Sequence, residues 1–472
     1  MRGLIRRMIM RKFAQRVLPG TLILLAGCSF IPAYERPAPP VAAYWPLSAK
    51  TAGAQAVAGL NWQQMLPDPR MQAMVNAALE HNRDLRIAVA RVEEARALYG
   101  ITRAERLPTV NLVASQTALR LPGELSATGS EQVSRRHDVN LGVAAFEIDF
   151  WGRLKSLSAA AQASYLATAE ARESFRLTLI ADVAFAYLAL QEMDERLSLA
   201  HATVENRQDL RFLVQQRRDV GLAGDLDFLA ADGAYAAARA QLFDLERVRA
   251  QAENALTLLV GKVPDDLPPG RRLSEQDLPL DIAVDVPSEV LLHRPDVRAA
   301  EQKLIAANAN IGAARAAFLP RIGLSLAFGT ASRTLSGLFD SGTGAWSFAP
   351  SLVQPLFDSG RIQGGVDLAG ARKVIAVAEY EKTIQQAFRE VADLLVARDR
   401  LAEQLTAQES AERTQSERLR LVDARYRAGV SSYLEVLDAQ RDAFAASQGT
   451  VQLRRALFVT AAQLYKALGG GQ

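Results

Sequence analysis

Between Leu154 and Val220 the chain contains neither glycine nor proline, and its apolar residues recur at helical spacing. Nothing in such a stretch interrupts a helix, so it predicts one rod of about 67 residues and about 100 Å, several times the usual globular length. The rod comes back later in the chain. Gly152-Arg153 and Gly221 recur as Gly360-Arg361 and Gly429, and the body from Ala371 to Ala428 again lacks both helix breakers. With the copies aligned on these glycines, Ile180, Val183, Tyr187 and Leu197 fall on Phe388, Val391, Leu395 and Leu405, with the 3-4 spacing of a coiled-coil seam. The rest of the sequence feeds, caps or closes these two rods.

Each rod is preceded by the same sequence of signals. A helix from about Arg70 carries Met74, Val75, Ala78 and Leu79 on one face, breaks near His81 to Arg83, and resumes from Leu85 to Arg106, where Leu107-Pro108 stops it. The period then changes to two. Val110, Leu112 and Ala114, and beyond a polar loop from Arg120 to Asp138, Val139, Leu141 and Val143, predict a hairpin of two strands of about ten residues. In the second copy Ile322, Leu324, Leu326 and Phe328 alternate with Gly323, Ser325, Ala327 and Gly329, while Trp346, Phe348 and Leu352 alternate with Ser347, Ala349 and Ser351. Strands of this length span a hydrocarbon layer when tilted. One apolar and one small or polar face predict lipid outside and water inside; the competing reading is a sheet with one face on a soluble core.

Ahead of the strands the copies are set further apart than after them. Asp84 matches Asp296 and Leu107-Pro108 matches Leu319-Pro320, an offset of 212 in the numbering, against 208 between the rods. The hairpin loops absorb the difference, which marks a duplication. The first repeat covers 61–260, with its hairpin at 109–150, long helix at 154–220 and return helix at 225–260. The second covers 291–472, with its hairpin at 321–354, long helix at 361–428 and return helix at 432–468. Residues 261–290, bearing Pro264, Pro268, Pro269, Pro279 and Pro287, form a linker. Four strands do not close a barrel, so edge coverage demands oligomerisation.

Residues 1–27 have the form of an export leader: a basic segment from Arg2 to Arg16, an apolar segment from Val17 to Leu25 too short to span a bilayer, then Leu25-Ala26-Gly27-Cys28. Cys28 is the chain's only cysteine. The run resembles the lipobox of bacterial lipoproteins, which implies acylation of Cys28, and Ser29 after it implies sorting to the outer membrane. Residues 28–60, rich in proline, read as an extended tether reaching away from that anchor. Removing the leader takes six of the 55 basic residues, leaving 49 against 52 acidic ones, so no basic excess remains to support a nucleic-acid partner. No apolar run reaches the roughly 18 residues that a spanning helix needs, and a membrane is therefore entered only as a barrel.

The turn after the second rod, Arg425-Tyr426-Arg427-Ala428-Gly429-Val430-Ser431-Ser432-Tyr433-Leu434-Glu435-Val436-Leu437-Asp438-Ala439-Gln440-Arg441, resembles the second helical turn of the outer membrane factors, the TolC-like and OprM-like lipoprotein channels of the NodT type. The first turn, from Arg217 to Asp227, is a looser match, because Asp227-Phe228-Leu229-Ala230-Ala231 has no second carboxylate. The likeness runs from Trp62 to Leu468. It implies a mainly α fold with β, in which a homotrimer builds a transmembrane barrel of twelve strands continuing into a periplasmic α-helical barrel. It also implies a periplasmic adaptor and an inner-membrane transporter as partners, and outer-membrane lipid held through acylated Cys28. The implied function is a passive exit duct for small molecules, with a periplasmic gate at turn glycines Gly221 and Gly429. Asp438, Tyr426, Glu435, Leu434, Arg441 and Arg425 of the second turn and Arg218 and Asp227 of the first would form that gate, Asp438 as a ring of carboxylates about the axis.

No enzyme chemistry is expected: GxxxxGK[ST], HExxH and GxSxG are absent from the sequence. His81, His137, His201 and His293 are scattered one per segment, so neither a metal nor another cofactor is expected. A non-conducting, lipid-anchored coiled-coil scaffold is the alternative from a different class.

Overall fold

The computed structural model describes residues 29–45, 55–56, 61–127, 129–276, 282–283 and 288–470. Cys28 and the leader before it lie outside the described residues, as do Pro279 and Pro287 of the linker. The fold is mainly α with a small β part. The first repeat contributes α1 (Trp62–Met65), α2 (Pro69–His81), α3 (Arg83–Ala104), β1 (Val110–Leu121), β2 (Gln132–Glu147), α4 (Arg153–Asp219) and α5 (Asp225–Val260). The second contributes α6 (Pro295–Ala316), β3 (Arg321–Ser332), β4 (Gly344–Val353), α7 (Arg361–Arg427) and α8 (Tyr433–Ala467). Both rods, α4 and α7, are 67 residues long. Each begins on a carboxylate: Asp149 accepts from the amides of Leu154 and Lys155, and Asp358 from those of Gly360 and Ile362. These bonds satisfy amides that a helix start leaves open.

Two compact units divide the chain. The first comprises 1–37, 92–168 and 300–380. Its centre is one antiparallel sheet in the order β1-β2-β3-β4. The strands reach further than the alternation alone indicates, 12 and 16 residues in the first hairpin. Much of the loop expected from Arg120 to Asp138 is in fact ladder, with Leu121 opposite Gln132 and Thr117 opposite Arg136. Polar residues there masked a backbone that was still pairing.

The register places Leu112, Leu141, Phe328 and Trp346 on one face, where Leu112 is 71%, Phe328 72% and Trp346 76% exposed. Asn140, Ser325, Ser347 and Ser351 occupy the other. A bulge between Val143 and Phe146, with Ala145 at φ 52°, keeps Phe146 on the apolar face opposite Leu324. Without the extra residue the side chains beyond it would swap faces. Glu147 then falls on the polar face, where it holds Arg153 through a pair of hydrogen bonds at 2.8 and 2.7 Å.

The proline-rich segment does not hang free. Residues 29–37 are extended, as their composition predicts, but are fastened along α6. The Asn308 amide donates to the Pro32 carbonyl at 2.8 Å, and buried Glu301 accepts two bonds from Arg36, at 2.7 and 2.9 Å, and one from the Tyr34 hydroxyl. A Cβ at Gly312 would lie 2.6 Å from Ile31 Cγ1 and 2.8 Å from its amide, so that glycine is what lets the two backbones approach. The free tether expected from sequence is corrected for this portion to a strap running antiparallel to α6.

The second unit comprises 38–91, 169–299 and 381–472. Ile180, Val183, Tyr187, Val391 and Leu395 of the expected seam are buried here. Buried Asp68 starts α2 through the amides of Arg70 and Met71 and accepts from the Tyr187 hydroxyl at 3.0 Å and from Gln276 of the linker at 2.7 Å.

The duplication persists in atomic detail. Asn82, which breaks α2 from α3, donates to the carbonyl of Leu259 at 2.8 Å; its counterpart Arg294 donates to that of Ala467 at 2.5 Å. Arg294 also holds Asp296 and Glu390 at 2.8 and 2.9 Å. Burial pushes the Asp296 carboxyl up, but the hydrogen bonds and charge of Arg294, with the Val297 amide, outweigh it and hold the group below its usual range.

A lowered carboxylate value adds stability above the unfolded value of about 4 and loses it as pH falls through the folded one. Arg294→Gln should therefore be less stable than the wild type at neutral pH, by about 2 kcal/mol given that both carboxylates are partly exposed, and melt correspondingly lower. The gap should narrow toward pH 2, down to the part owed to the bond with the Ala467 carbonyl, which does not titrate. Melting curves across that range test it; a gap independent of pH would refute it.

Candidate functional site

The two interhelical turns of the second unit are built alike. After α4, the amide of Gly221 donates to Arg218 O at 2.9 Å and that of Leu222 to Arg217 O at 2.7 Å; after α7, Gly429 donates to Tyr426 O at 3.0 Å and Val430 to Arg425 O at 2.9 Å. Both glycines are left-handed, at φ 77° and 79°. This is the Schellman stop, which needs a residue without a Cβ penalty at that position. The helix starts that follow differ. Ser432 and Glu435 form a reciprocal capping box at α8, and the Ser431 hydroxyl adds a bond to Glu435 at 2.6 Å. Those hydroxyls, Ser431 first, hold the Glu435 carboxyl below its usual range. At α5 the start is Gly224, whose amide donates to Asp227 at 3.4 Å.

Beneath the turns lies a cluster of Leu210, Val214, Ala231, Tyr426, Tyr433 and Val436, with Phe228 and Val422 packed against it. It joins all four helices. Tyr426 is buried and meets Tyr433 at 5.9 Å between ring centroids. Burial pushes the Tyr433 phenol up to about 12, so it stays protonated through the ordinary pH range. Arg217 crosses from the first turn to the second: its guanidinium lies 4.6 Å from the Tyr426 ring centroid and donates to the carbonyls of Tyr426 and Arg427, both at 3.4 Å.

The expected gate residues are thus spread over distinct roles within one chain. Arg218 pairs with Asp225 across its own turn at 2.8 Å and lies 4.9 Å from the Phe228 ring. Asp227 and Glu435 serve helix starts. Asp438, half-buried, pairs along α8 with Arg441 at 3.4 Å, and Arg441 also reaches Asp442 at 3.1 Å. Arg425 and Leu434 are exposed, as are Val220, Leu222, Leu226 and Val430. The structure brings Tyr426 to the first turn and leaves Asp438 on a helix face turn-and-a-half beyond the cap. Arg217, the start of the first turn, is not among the gate residues expected from sequence. The available signal was its repeat position, since it is the counterpart of Arg425 and so sits one residue before the counterpart of Tyr426.

Comparison with known proteins gives a consistent result. The family described as "Outer membrane efflux protein" matches twice, over residues 74–262 and 286–470. The toluene efflux pump outer membrane protein TtgF of Pseudomonas putida is 45% identical over 460 residues, covering 95% of each chain. A crystal structure of a membrane protein from Pseudomonas aeruginosa superposes with a TM-score of 0.88 at 40% identity, over 94% of this chain and 98% of that one. The open state of the Neisseria gonorrhoeae MtrE outer membrane channel gives 0.84 at 39% identity, over 94% and 98%.

If Arg217 couples the turns through the Tyr426 ring, a double-mutant cycle of Arg217→Gln with Tyr426→Leu should return a coupling of about 0.5–1 kcal/mol. The same cycle run with Tyr426→Phe should return a coupling near zero, because the ring, and with it the contact to Arg217, remains. Thermal unfolding of the variants measures both cycles, and additive losses in the Tyr426→Leu cycle would show that the ring contact does not couple the turns.

Proposed function

The chain belongs to the outer membrane efflux protein family, and from that premise we propose how this channel is assembled, anchored and closed. It is the outer-membrane channel component of a tripartite efflux system, a conduit that catalyses no reaction. The non-conducting scaffold falls away on that membership.

Three copies contribute four strands each to one barrel of twelve, continued by the long helices as a periplasmic tube. The observation that carries this is the sheet: its apolar face is open and both of its outer strands, β1 and β4, have a free edge among the described residues. Such edges are not tolerated in lipid. A periplasmic adaptor engages the turns, whose exposed Leu222, Leu226, Val430 and Leu434 offer it an apolar contact, and an inner-membrane transporter loads the duct. Small organic molecules are the cargo, in keeping with relatives named for the efflux of toluene, solvents and antibiotics. Acylated Cys28 adds a lipid anchor; the strap favours this, because Ile31 lies against Gly312 in the last third of α6, on the side that leads into β3.

The gate is formed where the turns meet around the threefold axis. Asp438 supplies a ring of carboxylates that favours cations, and Tyr426, Arg425, Arg441, Arg218, Asp227, Glu435 and Leu434 hold neighbouring turns through contacts in the assembled ring. Gly221 and Gly429 set the turn geometry on which that depends.

In planar bilayers the purified protein should conduct, and Asp438→Asn should lower cation selectivity and relieve block by divalent cations without lowering the melting temperature. Absence of any conductance would overturn the channel; unchanged selectivity would remove Asp438 from the gate. Palmitate labelling should be lost in Cys28→Ala, and label that persists would place the acyl group elsewhere.

A further inference from the structure

The duplication carries information about a junction that one chain cannot display. Within the chain, the second strand of the first repeat pairs with the first strand of the second repeat: Val143 lies opposite Leu326, Leu141 opposite Phe328 and Val139 opposite Thr330. The equivalent junction, from the second strand of the second repeat onward, would join β4 to a β1. In this chain those two strands are the opposite edges of the sheet.

Residue equivalence between the hairpins follows from their own ladders. Val110 pairs with Val143 and Ile322 with Leu352; Leu112 pairs with Leu141 and Leu324 with Pro350. With Val110 equivalent to Ile322 and Leu112 to Leu324, Val143 is therefore equivalent to Leu352 and Leu141 to Pro350, upstream of the bulge. Applying both equivalences to the internal junction converts each of its pairs into a pair between chains.

Resting on the assembly proposed above, we infer that β4 adds to β1 of a second copy of this chain in a single antiparallel register, in which the two residue numbers sum to 466. Leu352 lies opposite the partner's Ala114, Ser351 opposite the partner's Ser115, Ala349 opposite the partner's Thr117 and Phe348 opposite the partner's Ala118. The chemistry of the edges agrees with the arithmetic. Leu352 and Phe348 lie on the sheet's apolar face, where the partner's Ala114 and Ala118 add small apolar neighbours. Ser351 and Ala349 lie on the polar face with the partner's Ser115 and Thr117, and paired hydroxyls are a favourable cross-strand match. A slip by one residue would turn Ser347 and Ser351 onto the apolar face. Pro350, which has no amide hydrogen, falls opposite the partner's Gln116, so at most one main-chain bond is missing, as suits a strand that is an edge in the single chain.

The internal junction tolerates no side chain on its polar face where Gly329 approaches, since a Cβ there would lie 2.1 Å from the Val139 carbonyl oxygen. Its counterpart in the inferred junction is the partner's Thr117. The two seams therefore share a register while differing in local spacing.

Residues directly opposite in an antiparallel pair are within disulfide reach, while those displaced by two positions are about 7–8 Å apart and beyond it. Full-length chains carrying Leu352→Cys with Ala114→Cys, or Phe348→Cys with Ala118→Cys, should give covalent trimers on oxidation with copper phenanthroline. Leu352→Cys with Leu112→Cys, or with Gln116→Cys, should remain monomeric on denaturing gels. Native mass spectrometry of the same samples separates the two levels. Cross-linking of a shifted pair, or no cross-link in an assembly of three chains, overturns the register while the assembly stands. A mass of one chain overturns the assembly and the register with it.

Discussion

A main-chain amide entering hydrocarbon must bring its hydrogen-bond partner along, because no water is there to replace a missing one. None of the described helices is long and apolar enough to cross a membrane. The burden therefore falls on four strands, and the rest of the chain is arranged to present them. Asp149 and Asp358 stop the backbone turning freely where strand becomes rod. The bulge at Ala145 resets which side chains lie on the sheet's apolar face just before that junction. Each long helix can then be polar over most of its surface, because its work is done outside the hydrocarbon.

The architecture was open to sequence reading because the signals that carry it are periodic or absolute. A stretch as long as α4 without glycine or proline admits one structure, and a shared offset between copies admits one topology. What escaped was of another kind. The first hairpin's outer half mixes Ala118, Leu119, Leu121 and Val133 with Gln116, Arg120, Arg135 and Arg136, so alternation faded where pairing continued through Thr117 and Arg136. The strap was legible as extended but not as docked, since docking depends on Glu301, Asn308 and Gly312 lying in one row on a helix in the other half of the sequence. At the turns, Arg217 acquires its contact with Tyr426 only when the second turn is laid over it.

The repeats have not diverged evenly. Where backbone geometry is at stake they remain superimposable, as at Gly221 and Gly429. Where side chains fasten elements, the second copy has been reinforced: Arg294 with two carboxylates replaces Asn82, and the Ser432 and Glu435 box replaces a bare Gly224. The half-buried Asp182, counterpart of Glu390, is left without such an arginine, and burial raises its carboxyl against the weaker pull of Lys466. A threefold ring made of such chains would alternate firmer and softer sectors around its circumference.

The strap sets a leash length. Position 28 lies three positions ahead of Ile31, so its backbone stays within about 11 Å of Ile31. A pull on that end meets the packed Gly312 first, then the bond from Asn308 to Pro32 and the buried carboxylate of Glu301. Force applied at that end would therefore be delivered to the side of α6 as shear, spread over Gly312, Asn308 and Glu301.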